Sequence, residues 1–573
     1  ENKARNALEP LIQIFDLITL DRAQLINLDP FVLADEETTN EIHGGKTTQE
    51  LLAQLQPLHF PIQFPEIFSQ EKDGGFTCVL GNPPWEEIKV EERSFWNRFE
   101  PGLWSLPMAK IRSRIKELKQ DRPDLLKLFE QEKRKAEDLV KVISNGPYLG
   151  FGTGDADLYK AFSMRFWNQI SPMGVVGVVL PRSVLASSGS AEWRLHILEN
   201  GDFIEICQLL NNRNWVFDDV HPQYTIALIS VRKTGTPDDV VAVRGPFTSY
   251  SEYLREKDEP PVEIPASGLK EWSEGAALPL IQTREMADVF LKMRKRDSLE
   301  QLSFRGIAEL HATNDRNRGF FSVDMEEMPK DSIPVFKGAS FNIWENDTGV
   351  RAGWSHPDEI VNELHRRRMA GQTRSRSAFF NVTDEWLADQ STLPMRNPRI
   401  VFRGITNRTN SRTVIASLLP PNATVQNSAP YLFSESATPN DEAYLLGVLC
   451  SVPLDWYARR VVEVNLNFFI LDKFPIPKPN LQDERTLKVI ELSARLAAVD
   501  DRYSDWAKRV GVPVGSVKSQ AEKEDLIAEL DAVVAHLYGL DTDDLKVIWN
   551  TFHTTVDHLP NLDAVLDHFE RWA

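Results

Sequence analysis

The chain has 573 residues, 42% of them apolar, which is enough to bury several cores and, by length, to form three or four domains. Its net charge of -19 excludes indiscriminate binding to nucleic acid, because a uniformly acidic surface repels phosphate at a distance. No apolar run approaches the roughly 20 residues of a spanning helix; Glu1–Arg5 has no export or transit pattern; and Cys78, Cys207 and Cys450 lie too far apart for a disulfide framework or a zinc knuckle, so a cytoplasmic protein with buried thiols, no metal and no membrane partner is expected.

Residues 1 to 70 mix short helical patterns with the proline-rich run His59–Phe68, which cannot be a helix interior and reads as a loop and short strand. Phe76-Thr77-Cys78-Val79-Leu80 is β-prone and closes on Gly81-Asn82-Pro83-Pro84, a buried strand ending in a rigid loop. Between 88 and 144, Ile111, Ile115, Leu118, Leu125, Leu126 and Phe129 recur at helical spacing, which predicts a helical insertion. A helix with an acidic first turn opens at Asp155-Ala156-Asp157 and runs past Trp167 to a turn at Ser171–Gly174. Val175–Leu180 is then a core strand, and Ile204–Leu209 and Tyr224–Val231 supply two more. Helices alternating with core strands imply an open α/β sheet.

The alternation stops near 235, where a domain boundary is placed. Residues 236 to 480 are irregular and rich in Pro, Asn and Arg; Pro475–Pro479 reads as a linker; and 481 to 573 is mainly amphipathic helix, including 526 to 540, which packs in its own domain or docks a partner. From Leu364 to Arg412 ten arginines (366, 367, 368, 374, 376, 396, 399, 403, 408 and 412) face only Asp384, Glu385 and Asp389. Such a block is either a solvated face or, being arginine throughout, a set of bidentate contacts to phosphate or guanine.

The chemistry concentrates in Asn82-Pro83-Pro84-Trp85. The Asn82 carboxamide oxygen and the Pro83 carbonyl are two rigidly placed acceptors beside an aromatic ring. That set suits the exocyclic amino group of adenine, whose N6 lone pair is delocalised and must be localised and aimed before it reacts. The base must first leave the duplex stack. Asn-Pro-Pro is also an ordinary turn. The strand before it and the α/β alternation after it favour the chemical reading, since ligands of open α/β sheets sit outside the carboxyl ends of strands.

Phe76–Trp85, FTCVLGNPPW, resembles motif IV of the amino-methyltransferases in its adenine-N6 form. Asp157-Leu158-Tyr159, GVVGVVLP at 174 to 181, RNPRIVFRGITNRTNSRTVIASLLPP at 396 to 421, Asn427–Tyr431 and LDWYARRVVEVNLNFFILDKFPIP at 454 to 477 are similar to pieces of the large methylases of type IIG restriction-modification and of the BREX and DISARM phage-defence systems. The resemblance covers most of 58 to 545. It implies a Rossmann-like class I methyltransferase sheet with a helical insertion (1 to 235, insertion 88 to 144), an α+β target-recognition domain (236 to 480) and a helical C-terminal region (481 to 573). It further implies S-adenosylmethionine as cofactor, duplex DNA as partner, and helicase or nuclease subunits alongside.

Asn82, Pro83, Pro84 and Trp85 would be catalytic, with Asn82 also near the cofactor, and Phe217 of Trp215-Val216-Phe217 would cover the other face of the flipped base. Arg403, Arg408, Arg412 and Lys337 would face DNA. The family's GxG cofactor loop is not found in residues 1 to 75. Either it precedes this sequence, which is the favoured expectation, or the motifs are permuted and Leu149–Asp155 supplies it, with Asp155 at the cofactor. No nuclease signature is found. The leading function is site-specific adenine methylation in host protection and the alternative a DNA-recognition and assembly subunit without methylation of its own; methylation of RNA or protein is a third reading, disfavoured because a large arginine-rich region suits duplex DNA.

Overall fold

The structure, a computed structural model, describes residues 2–68, 74–148, 156–220, 222, 224–272, 275–326, 328–375, 377–380, 382–406, 410–462, 465–552 and 558–573. The chain divides into two compact units, Glu1–Leu278 and Pro279–Ala573. Among the described residues no helix is long and apolar enough to cross a membrane, and no cluster of His, Cys, Asp and Glu is arranged to hold a metal ion.

The first unit is built on a six-stranded mixed sheet: β1 (Phe76–Gly81), β2 (Ile170–Pro181), β3 (Gly201–Leu210), β4 (Thr225–Lys233), β5 (Val240–Phe247) and β6 (Val262–Pro265), in the order β1-β2-β4-β3-β5-β6. β1 and β2 run parallel, with Gly81 opposite Val178, and β4 lies antiparallel between β2 and β3. The carboxyl ends of β1, β2 and β3 therefore emerge on one side. β2 and β4 are interior strands, and they bury Val176, Val178, Ile226, Ile229 and Val231. β1 is terminal in the sheet and half solvated; Leu80 is 80% exposed.

The crossover from β1 to β2 carries the helical insertion, Glu92–Asn97, Met108–Asp121 and Pro123–Ser144, closed around Phe95, Trp96, Ile111, Ile115, Leu118 and Leu125. It ends in the helix Leu158–Gln169, which buries Tyr159, Met164 and Trp167.

The structure differs from several expectations. The boundary near 235 falls inside the sheet: β5 pairs parallel to β3 and β6 antiparallel to β5, so the first unit runs on to Leu278. The proline-rich stretch after His59 forms the one-turn helix Phe60–Gln63 and no strand, Pro61 being tolerated because a first-turn residue needs no N–H partner. Cys207 and Cys450 are buried, but Cys78, on the sheet edge, is exposed.

The second unit holds two small sheets. β7 (Arg305–Ile307), β10 (Arg399–Phe402), β11 (Ala416–Leu419) and β13 (Tyr431–Phe433) form an antiparallel sheet in the order β11-β10-β13-β7, and β8 (Ile333–Phe336), β9 (Gly353–Ser355) and β12 (Thr424–Val425) form the second, ordered β12-β8-β9. Phe336, Phe341, Val401, Ile415, Leu419, Val425 and Tyr431 make a core that both sheets share. The expected helical C-terminal region is not separate. Tyr503 donates to the Leu418 carbonyl, Asn346 to that of Ala497, and the Val452 N–H to Asp531, so the helices Glu484–Ala497 and Gln520–Tyr538 are stitched to the sheets and to the helix Val452–Val461. Nor is Pro475–Pro479 a free linker: Ile476 is fully buried, and the Pro475 and Pro477 carbonyls accept from Tyr538 and Tyr444 at 2.6 and 2.7 Å.

Candidate active site

The loop after β1 is held from below and left open above. A Cβ at Gly81 would sit 2.9 Å from the Phe166 ring, so any side chain here would have to displace that ring of the crossover helix. Pro83 is buried, while Asn82 and Pro84 are exposed. The Asn82 carboxamide makes no hydrogen bond to another described residue. Past the motif, the Leu158 N–H donates to the Glu86 carbonyl at 2.9 Å and the Ile88 N–H to that of Ala156 at 2.8 Å, clamping the loop to the start of the crossover helix. Buried Lys160 pairs with Asp157 at 3.0 Å, and Ser183, just past β2, donates to the Tyr159 hydroxyl at 3.0 Å.

Trp85 turns inward. Its indole N–H donates to the Val179 carbonyl at 3.3 Å, and its ring meets Phe217 at 5.9 Å between centroids and 87° between planes. Phe217 is thus brought to Trp85 from 132 residues away in sequence (217 minus 85). The pair meets edge to face, so the two rings leave no slot between parallel faces. Around them lie Leu209, Ile226, Phe247 and Cys207, whose thiol burial pushes up to about 12, leaving it an apolar filler.

The residue that shapes this corner was not singled out in the sequence. Asn211, fully buried, donates to the Phe217 and Val220 carbonyls at 2.8 and 2.7 Å and accepts from the Val216 and Phe217 N–H groups at 3.1 and 3.0 Å. All four partners are main chain, so the carboxamide stands in for a strand neighbour and folds the 211–220 loop onto itself. The loop also carries left-handed backbone at Arg213 (φ 57°) and Asn214 (φ 59°), conformations that cost a residue with a Cβ of order 1 kcal/mol and persist only where the surroundings enforce them. The available signal was Asn211-Asn212-Arg213-Asn214 itself, a run rich in the residue type that best tolerates that region.

The chain is similar to parts of restriction-modification enzymes. A modification subunit of a putative type I restriction enzyme from Vibrio vulnificus YJ016 superposes over 36% of this chain and 37% of its own, at 16% identity and a TM-score of 0.21. The type IIG restriction endonuclease BpuSI does so over 71% and 52%, at 15% identity and 0.25. A nuclease-deletion mutant of the type ISP restriction-modification enzyme LlaGI, in complex with a DNA substrate mimic, does so over 80% and 46%, at 11% and 0.31. The chain therefore spans between about a third and about half of the length of these proteins. Superpositions at these scores do not define a shared fold. No protein-family model and no curated protein matches the chain.

In the second unit most of the arginine block is turned to internal use. Arg366 and Arg367 hold Glu363, and Arg367 also grips Asp315 at 2.6 Å. Arg368 donates to the Leu387 and Asp389 carbonyls and to Thr392, and Arg399 to the Ala423 carbonyl at 2.7 Å. Of the positions expected to face DNA, Arg412 donates to fully buried Asp455 at 2.7 Å and to the Cys450 and Ser451 carbonyls. Its guanidinium is spent on bracing. Arg403 donates to the Phe341 carbonyl at 2.6 Å, and burial lowers its pKa. Lys337 is half-buried at the end of β8, next to Arg403: a Cβ on its neighbour Gly338 would lie 3.6 Å from Arg403 Cγ. Arg374 and Arg396 are exposed. Arg376, Arg408, Asp155 and the glycine-bearing stretch 149 to 155 lie outside the described residues.

Proposed function

We propose that the chain takes part in S-adenosylmethionine-dependent methylation of adenine N6 in duplex DNA, as the modification enzyme of a restriction-modification or phage-defence system. The observation that supports this reading best is the Asn82 carboxamide. It stands exposed, with no hydrogen bond to another described residue, at the carboxyl end of a parallel strand, over a buried proline and beside the Trp85–Phe217 corner. In this reading the Asn82 oxygen and the Pro83 carbonyl accept the two amino hydrogens of an extruded adenine and draw its lone pair out of the ring. Trp85, fixed by Val179, supplies one wall. Asn211 holds the main chain of 216 to 220 and leaves the Phe217 ring free to rotate off Trp85 as the base enters. S-adenosylmethionine, when bound, supplies the methyl group; the carboxamide and carbonyl acceptors fit the base half of such a site. The partners in this reading are duplex DNA and separate helicase or nuclease subunits.

The second reading, a recognition and assembly subunit without methylation of its own, is favoured by the closed edge-to-face contact of Trp85 and Phe217. Incubation with tritiated S-adenosylmethionine and genomic DNA lacking adenine methylation, beside an Asn82→Ala control, separates the two. Label recovered as N6-methyladenine and dependent on Asn82 supports the enzyme. Duplex binding with no label in either protein supports the recognition subunit.

A further inference from the structure

The helical insertion of the first unit carries an open groove of about 380 Å³, lined by four cations, Arg93, Arg112, Lys116 and Lys119, and two acids, Glu91 and Glu92. The acids do not neutralise it. Glu92 pairs with Lys119, and Glu91 accepts from the Ser94 hydroxyl at 2.6 Å. Arg93 has no ion pair with another described residue; its guanidinium lies 4.2 Å from the Trp104 ring centroid and donates to the Met108 sulfur at 3.2 Å. Arg112 and Lys116 are exposed and make no hydrogen bond or ion pair to another described residue. These cations also stand where they weaken their own helix. Met108–Asp121 has no acid in its first turn and carries Lys110 there, at the positive end of the helix dipole. Arg112 and Lys116 are four residues apart and Lys116 and Lys119 three, so like charges repel along one face. Neither feature serves the fold, and a polyanion lying along that face relieves the repulsion. The chain leading into the helix exposes Trp104, Leu106 and Met108. The insertion also springs from the candidate site: the loop after Trp85 is clamped at Glu86 and Ile88, and the first insertion helix begins at Glu92, ten residues beyond Asn82 (92 minus 82).

We propose that this groove holds the sugar–phosphate backbone of duplex DNA, with phosphates at Arg112 and Lys116 and deoxyribose against the apolar side chains that lead into the helix. The two cations are about 6 Å apart along the helix axis, so they meet a strand at two points and fix its direction. Contacts of this kind position a duplex without reading its sequence. The inference rests on the reading of the chain as one that acts on duplex DNA, and it adds the surface that anchors the duplex beside the Asn82 loop.

The test titrates the whole chain into fluorescently labelled duplexes of unrelated sequence and follows anisotropy between about 50 and 200 mM salt. Each phosphate contact contributes about 0.9 to the slope of log affinity against log salt, so Arg112→Gln with Lys116→Gln should lower that slope by about 1.8 and weaken every duplex alike. Arg112→Lys with Lys116→Arg, which keeps both charges, should retain most of it. A control, Lys270→Gln with Lys508→Gln, changes the net charge equally at exposed positions outside the insertion and should leave the slope as it was. All three double variants are checked for an unchanged melting profile. An unchanged slope in the first variant overturns the proposal, as does an equal loss in the control, which would trace the effect to net charge, or the absence of duplex binding by the unaltered protein. The methylation assay on the same proteins keeps the two readings apart. A lowered slope without label in any protein leaves the groove standing and the methylation reading failed; label with an unchanged slope does the reverse.

Discussion

Replacing Asn211 by alanine removes one side chain and disconnects four main-chain groups at once. The Val216 and Phe217 N–H groups lose their acceptor, and the Phe217 and Val220 carbonyls lose their donor, all against a residue with no solvent exposure. At a net contribution of about 1 kcal/mol per hydrogen bond the loss is about 4 kcal/mol, a large part of the stability of an ordinary domain. The loop opens before the sheet does, because β3 and β4 remain paired on either side of it. Hydrogen exchange read on peptides covering 211 to 220 should therefore accelerate by roughly a thousandfold at tenfold per 1.4 kcal/mol, with β2 little affected. Asn211→Asp discriminates further. Its second oxygen faces two carbonyls where the amide NH₂ stood, so the variant should be worse at neutral pH than in acid, where the carboxyl can donate again. If the Val216 and Phe217 amides exchanged as slowly in the alanine variant as in the parent, the loop would be held by its apolar packing, and Asn211 would not be what positions Phe217.

Arg412→Ala leaves Asp455 buried without its nearest cation and should cost on the order of 3–5 kcal/mol in chemical denaturation; a variant with unchanged stability and weakened DNA binding would return Arg412 to the surface role first expected of it. Asp531 is raised from 3.8 to about 7 by burial, so the folded state holds its proton longer than the unfolded one. The stability this gives is full below about pH 4 and is lost as pH rises through about 7. Asp531→Asn should therefore gain on the parent progressively over that interval, by at most roughly 4 kcal/mol, and a difference independent of pH from 4 to 8 would contradict the assignment. Leu80→Asp, at a position 80% exposed on the edge strand, should change the melting of this chain by less than about 0.5 kcal/mol; a larger loss would mean that the outer side of β1 is covered.

The parts of the fold legible in the sequence were those written in a single period. Val175–Leu180 and Tyr224–Val231 are continuous apolar runs whose burial between neighbours leaves little alternative to a central strand, and Ile111, Ile115 and Leu118 repeat at helical spacing. β5 and β6 escaped because Asp238-Asp239 and Gly245-Pro246 break the runs around them, and only pairing with β3 makes them strands. Pro475–Pro479 looked like a linker because proline excludes helix and sheet interior alike; what keeps it in the core is a pair of tyrosine hydroxyls from distant helices. At the site, NPPW could be read directly and Phe217 placed near it, but the angle between the rings depends on Asn211 and Val179. The arginine block misled for a related reason. Its carboxylate partners, Glu363, Asp315, Glu309 and Asp455, all lie outside 364 to 412, so the segment's positive excess is offset only once the chain folds.

The Asp455 bridge also sets which piece of this protein can be exchanged. Asp455 accepts from the Thr413 and Val414 N–H groups as well as from Arg412, so the stretch that runs out of β10 and back into β11 is fastened to the helix Val452–Val461 through one carboxylate. A graft that moved residues 396 to 421 into another scaffold would leave that anion stranded in the core it came from and carry two unmatched amides into the recipient. The smallest transplantable cassette runs from β10 through residue 461, and the exposed side chains outside the bridge, Arg374 and Arg396 among them, can vary without disturbing it.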